Sequence, residues 1–109
     1  MYKATVLYGQ PDDPAEFDRY YEAVHIGIAS RMRGLSGWTI SKIDPDAAGE
    51  QSPYYLIAEL YAPSRDALLA IFASPEGRAA SEDVKKFASG GATFLFGDIR
   101  TILPVPAQS

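Results

Sequence analysis

Cysteine is absent from the 109 residues of this chain, and histidine occurs once, as His25. The absence of cysteine excludes disulfides, thiolate metal ligands and a cysteine nucleophile. A single histidine without cysteine also argues against a zinc site, because such sites combine several of these ligands. The sequence therefore predicts no metal site and no cofactor.

Positive charge is also scarce. The chain has 10 Lys and Arg against 14 Asp and Glu, for a net charge of −4, and no segment concentrates basic residues. This composition argues against a nucleic-acid partner, since the phosphate backbone requires a basic surface. No apolar run approaches the roughly 18 residues of a membrane span, and residues 1–8 do not resemble a signal peptide. We expect a cytoplasmic protein without a membrane partner.

The residues that are present predict six elements in the order strand, helix, strand, strand, helix, strand. The strands are expected at 2–8, 37–43, 54–62 and 93–102, and the helices at 13–33 and 64–89. Ser74-Pro75 inside the second helix predicts that it stops and restarts there, because proline suits a first turn. This order predicts the α+β class: a ferredoxin-like βαββαβ fold with a four-stranded antiparallel sheet. We expect one domain at 1–103 and a loose tail at 104–109.

The third predicted strand is apolar on both faces. Leu56, Ala58 and Leu60 share one face, with Tyr54, whereas Tyr55, Ile57, Glu59 and Tyr61 share the other. Two helices cover only one face of a sheet, and an apolar face needs a cover. The pattern therefore predicts a homodimer in which two sheets pack face to face.

The first helix carries the histidine. Asp13 is expected to cap it, with Glu16 completing a capping box. At about 100° per residue, one face collects Phe17, Tyr21, Val24, Ile28 and Met32. His25 falls at the edge of that face, where it either closes the rim of the core or presents a ring nitrogen to a pocket.

Several segments resemble the signature of EthD-like proteins. These are Glu16 to Tyr21 followed by His25, then Arg33-Gly34-Leu35, Ile57 to Leu60, and Ser74 to Arg78 followed by Asp83, Phe87 and Gly90. The resemblance implies the dimeric α/β barrel superfamily, with a small-molecule pocket between sheet and helices in each subunit. Family members often have a proline just after the histidine, where this chain has Ile26-Gly27, and related lactone isomerases add a second histidine and a cysteine that this chain lacks.

Four residues are candidates for a site. His25 is the candidate catalytic residue, because its ordinary pKa near 6.5 suits proton transfer at neutral pH. Tyr21, Trp38 and Tyr61 are candidate ligand-binding residues, although core or interface packing would explain each of them as well. Glu59, the charged residue of the most apolar strand, is expected to form an ion pair with Lys3 or Arg100 at the dimer interface. A role for Glu59 as a general acid or base is the alternative.

Three classes of function stay open at this point. The first is a cofactor-free isomerase, cyclase or decarboxylase that uses His25 on an aromatic or lactone-like molecule. The second is a binding or accessory protein for a hydrophobic metabolite. The third is a haem protein with His25 as axial ligand, which fits a small acidic chain least well because haem needs a wide apolar cavity and basic residues for its propionates.

Overall fold

Four strands form one antiparallel sheet in the order β2-β3-β1-β4. In the computed structural model, which describes residues 1–105, they are β1 (Tyr2–Gly9), β2 (Gly37–Lys42), β3 (Tyr54–Ala62) and β4 (Ala92–Asp98). The predicted ferredoxin-like βαββαβ fold is confirmed. The last strand was predicted to reach residue 102, but it ends at Asp98 because β1, its neighbour, begins at Tyr2, and only the Ile99 N–H bonds onward to the Met1 carbonyl.

Helices cover one face of this sheet. They are α1 (Pro14–Tyr20), a π-helical turn (Tyr21–His25), α2 (Ile26–Ala29), α3 (Arg65–Ala73) and α4 (Pro75–Phe87). The predicted stop and restart is confirmed, since the Ser74 hydroxyl accepts a hydrogen bond from the Gly77 N–H and so caps α4. The predicted domain at 1–103 stays a prediction, and residues 106–109 of the predicted tail lie outside the described residues.

The prediction of one α-helix from Asp13 to about residue 33 was wrong in two respects. The segment leaves helical geometry after Ala29, and its middle is a wider π-helical turn. Asp13 does cap α1, but Glu16 forms an ion pair with Arg19 and does not return to the cap. The capping box is therefore absent.

The core lies between the helices and the sheet. Alternate residues of β1 and β3 point into it, and their buried members are Tyr2, Ala4, Val6, Tyr8, Leu56, Ala58, Leu60 and Ala62. The prediction that Tyr55 shares the opposite face was wrong. The register shifts where Gly9 meets Tyr54, and Tyr55 then packs edge-on against Phe17 of α1.

Candidate active site

The π-helical turn decides where His25 points. The buried residues along this segment are Phe17, Tyr21, His25 and Ala29, at a constant spacing of four. In a regular α-helix, residues four positions apart are rotated by about 40° from each other around the helix axis. Two such steps after Phe17, His25 would point away from the buried face. A π-helical turn contains more residues, because its hydrogen bonds join residues i and i+5, and it therefore keeps residues four positions apart on the same face. His25 is therefore 4% exposed and lies inside the core instead of at its edge.

His25 is paired with a carboxylate from the other helical unit. Its Nδ1 lies 2.9 Å from Oδ2 of Asp83 on α4, and the two side chains are 5% and 2% exposed. The other carboxylate oxygen, Oδ1, accepts a hydrogen bond of 2.7 Å from the Tyr20 hydroxyl. A continuous series of hydrogen bonds thus leads from the partly exposed Tyr20 through Asp83 to His25 in the core.

Asp83 sets the protonation state of the ring. A carboxylate only accepts hydrogen bonds, so it selects the tautomer with a proton on Nδ1 and a lone pair on Nε2. Burial holds the pKa of His25 below its ordinary value, and the hydrogen bond and charge of Asp83 oppose this only in part. The neutral imidazole with a basic Nε2 is therefore the form present at neutral pH.

His25 borders a cavity. His25 lines this cavity and Asp83 does not. Because Asp83 binds Nδ1, Nε2 is the ring nitrogen left free for a ligand. Within residues 1–105, Nε2 makes no hydrogen bond. The cavity has a volume of about 30 Å³, close to the share of one water molecule in the liquid.

The remaining walls come from every layer of the fold. The sheet contributes Val6, Tyr8, Trp38, Ala58, Leu60 and Phe94, and the helices and the segment after α2 contribute Tyr21, Ala29, Met32, Phe72, Gly77, Ala80, Ser81 and Val84. Among these, Ser81 and Phe94 are exposed to solvent and mark the mouth. Most of this lining is apolar, which makes each polar group inside it conspicuous.

Two of those polar groups lack partners. The Tyr21 hydroxyl and the Trp38 indole nitrogen are buried without a hydrogen bond in the described part of the chain. Burial raises the pKa of Tyr21 well above its ordinary value, and the nearby Trp38 N–H opposes that rise without reaching hydrogen-bond geometry. An unpaired buried polar group costs about 1–3 kcal/mol, so both groups are suited to a ligand.

Comparison with known proteins identifies the family. The protein-family model of the EthD domain matches residues 10–91 of this chain. This chain belongs to the EthD family. An uncharacterised 11.0 kDa protein from the thcB-thcC intergenic region of Rhodococcus erythropolis is 39% identical over 104 residues, which cover 95% of this chain and all of that protein.

Solved structures agree with this assignment. An EthD family protein from Bacillus halodurans matches with a TM-score of 0.86 and 31% identity over 92% of this chain and 99% of that one. Two enzymes share the fold at low identity. Hydroxynitrile lyase from Passiflora edulis has a TM-score of 0.71 and 12% identity over 94% of this chain and 97% of its own. A mutant of SnoaB, a cofactor-independent oxygenase from Streptomyces nogalater, has a TM-score of 0.64 and 15% identity over 95% of this chain and 96% of its own.

The EthD chain brings together three of the four residues singled out from the sequence. His25, Tyr21 and Trp38 all line the cavity. Tyr61 lies elsewhere: its position on β3 alternates with the buried residues, and its hydroxyl donates to Glu59 on the face of the sheet without helices. A ligand-binding role for Tyr61 stays a prediction, and it would concern a different surface.

Glu59 is paired as predicted. Its Oε2 lies 2.7 Å from the Lys3 ammonium on the neighbouring strand, and the two side chains are 28% and 36% exposed. The pair lies on the open face of the sheet, so it belongs to the surface expected to meet a second copy and not to the His25 cavity.

Sequence reasoning assigned no role to Asp83 or Tyr20. A signal for Asp83 was nevertheless present, because Ala80, Asp83, Val84 and Phe87 follow the spacing of a buried helical stripe. A carboxylate in such a stripe needs a partner, and His25 is the histidine available. Tyr20 gave no comparable signal, since its hydroxyl reaches Asp83 only through the packing of α1 against α4. Among residues 1–105, no cluster of three or more His, Cys, Asp or Glu side chains could hold a metal ion.

Proposed function

We propose that this EthD protein transfers protons, without a cofactor, on a small apolar molecule bound in the cavity, with His25 as the general base. The observation that carries this proposal is the 2.9 Å contact between His25 Nδ1 and Asp83 inside the core. It leaves a basic Nε2 free on a side chain that lines the cavity. A positioned general base contributes roughly 10²–10⁴-fold to a rate.

The chemistry that fits is abstraction of a proton from an acidic carbon. The substrate C–H bond breaks, its electron pair moves into the substrate, and the proton goes to Nε2. The imidazolium formed is stabilised by Asp83, and it then returns the proton to the same or another substrate atom. Isomerisation and cyclisation of aromatic or lactone-like molecules include both proton transfers. Decarboxylation includes only the second, because its carbanion forms when the bond to CO₂ breaks. The hydroxynitrile lyase and the cofactor-independent oxygenase with this fold are consistent with enzyme activity on it.

The ligand must open the cavity before it binds. Ligand sites usually measure about 300–1,000 Å³, ten times the volume found here or more. The mouth offers a route, because Phe94 is 37% exposed and the half-buried Phe72 packs edge-on against Phe96 at the surface. Rotation of these aromatic rings would admit a flat apolar molecule. The largely apolar lining also supports a second function, storage or delivery of a hydrophobic metabolite without chemistry.

We also propose that the protein acts as a homodimer through the open face of its sheet. Thr5, Leu7, Ile57 and Tyr61 on this face are half-buried, and no helix among residues 1–105 covers it. The helices of the described residues are all too short or too polar to reach across a lipid bilayer.

The experiment that tests the proposed reaction needs no known substrate. A panel of ketones, 1,3-diketones and unsaturated lactones is incubated in D₂O with the protein, and loss of each C–H signal is followed by NMR. We expect accelerated exchange for some members, a fall on the order of 10²-fold in His25→Asn, and unchanged exchange in Tyr2→Phe, a buried substitution outside the cavity. Equal exchange by wild type and His25→Asn would exclude His25 as the base. Panel members that change the fluorescence of Trp38, the sole tryptophan, without any exchange would establish the carrier function instead.

A further inference from the structure

A further tyrosine hydroxyl belongs to a side chain that lines the cavity. Tyr8 of β1 is 2% exposed and lines the cavity, yet its hydroxyl makes no hydrogen bond within residues 1–105. The other buried tyrosine of this strand, Tyr2, behaves differently, because its hydroxyl accepts a hydrogen bond from Arg65. The sheet therefore carries one buried tyrosine hydroxyl with a partner and, on a side chain that lines the cavity, one without.

Three side chains with hydrogen-bond donors thus line one small apolar cavity. Tyr8 and Tyr21 contribute hydroxyl groups, Trp38 contributes its indole N–H, and the two tyrosine rings pack edge to face at 6.0 Å. An indole N–H only donates, and a hydroxyl donates one proton. The partner that satisfies all three is an oxygen with several lone pairs, and an oxyanion gains most from it because hydrogen bonds to a charged group are the stronger ones.

We infer that Tyr8, Tyr21 and Trp38 form an oxyanion site opposite the base, so that the substrate is a carbonyl compound with an acidic α-carbon. This inference rests on the proposed function and assigns its substrate class. As the C–H bond breaks and the proton passes to His25 Nε2, the electron pair moves onto the carbonyl oxygen to give an enolate. The three donors bind that oxygen, which carries the new negative charge, and preorganised donors of this kind favour the charged state over the neutral one.

The protonation of the tyrosines agrees with this role. Burial raises the pKa of Tyr8 and of Tyr21 far above the ordinary value, and for Tyr8 the nearby Tyr21 and Asp83 add to the rise. Both hydroxyls therefore keep their protons at neutral pH. They act as donors and not as acids that give up a proton.

A phenolate tests the donor set independently of the base. 4-Nitrophenol is titrated into the protein at a pH above its own pKa, where it is already an anion, and binding is followed by Trp38 fluorescence. Nitrobenzene serves as the neutral analogue of similar size. We expect the phenolate to bind at least about ten-fold more tightly than nitrobenzene, and Tyr8→Phe and Tyr21→Phe each to reduce phenolate affinity by about ten-fold.

The matched control is Tyr2→Phe, which removes a buried hydroxyl of the same strand outside the cavity and should leave phenolate affinity unchanged. No phenolate binding, equal affinity for the two probes, or equal effects of Tyr8→Phe, Tyr21→Phe and Tyr2→Phe would overturn the oxyanion site. This result is separable from the proposed reaction. Tight phenolate binding without C–H exchange would uphold the donor site and reject His25 catalysis. C–H exchange without a preference for phenolate over nitrobenzene would uphold His25 catalysis and reject the donor site.

Discussion

At the scale of single residues, the site depends on a pairing across 58 positions of sequence, between His25 and Asp83. The sequence identified His25 because it is the one histidine in the chain. It identified Tyr21 because this residue precedes His25 by one helical turn, and Trp38 because it opens the second predicted strand beside the end of that helix. It assigned no role to Asp83, because the buried helical stripe that contains this carboxylate does not tell which residue of another helix it faces. Long-range polar pairing of this kind follows from packing and not from periodicity.

The depressed pKa of His25 predicts how stability changes with pH. When a histidine binds its proton less readily in the folded state, the unfolded state takes up more protons, and stability falls as the solution becomes more acidic. The loss should begin as pH drops through the ordinary value of about 6.5 and level off below the folded pKa.

Urea unfolding at a series of pH values across this interval checks the prediction. Because His25 is the one histidine of the chain, no other side chain has an ordinary pKa near 6.5. A free energy of unfolding that stays constant or rises on acidification through this interval would mean that His25 is not held neutral by burial.

At the scale of elements, the strands were the most predictable part of the fold. The apolar run Tyr54–Ala62 predicted β3 at its observed bounds, and Ser74-Pro75 predicted the start of α4. The π-helical turn was not predictable in this way. Residues 21–25 have an ordinary helical sequence. The wider turn allows the helical segments before and after it, α1 and α2, to bury their apolar residues on the same face.

The junction between α3 and α4 gives an element-scale prediction. A Cβ on Gly77 would overlap the Ile71 carbonyl oxygen and lie 2.7 Å from the Phe72 backbone, and backbone atoms cannot rotate away. Gly77→Ala should therefore destabilise the protein by about 1–3 kcal/mol.

Gly27 is the matched control, because it is also helical but a Cβ at this position would have no atom within 4 Å. Gly27→Ala should stabilise the protein by up to about 1 kcal/mol through better helix propensity. Thermal unfolding of both variants measures the difference. If both alanines had the same effect, close approach of the helices would not constrain position 77.

At the scale of the whole molecule, the open face of the sheet predicts a dimer. Ile57 lies on this face beside the Lys3–Glu59 pair, and a lysine at position 57 would place an unpaired charge in the interface. Sedimentation velocity at micromolar concentration should give a dimer for the wild type and a monomer for Ile57→Lys. Leu69→Lys, on the helical side at 38% exposure, should remain dimeric. A monomeric wild type would contradict the predicted assembly.

The most direct test of the account is the tautomer of His25. In a long-range ¹H–¹⁵N correlation spectrum of labelled protein, the single histidine gives one unambiguous set of ring signals. We predict a protonated Nδ1 and an unprotonated Nε2 at neutral pH, with a pKa below the ordinary value that falls further in Asp83→Asn, since the carboxylate favours the protonated ring. A proton on Nε2 with a bare Nδ1, or a ring that is already charged at neutral pH, would contradict the claim that Asp83 holds His25 as a base at the cavity.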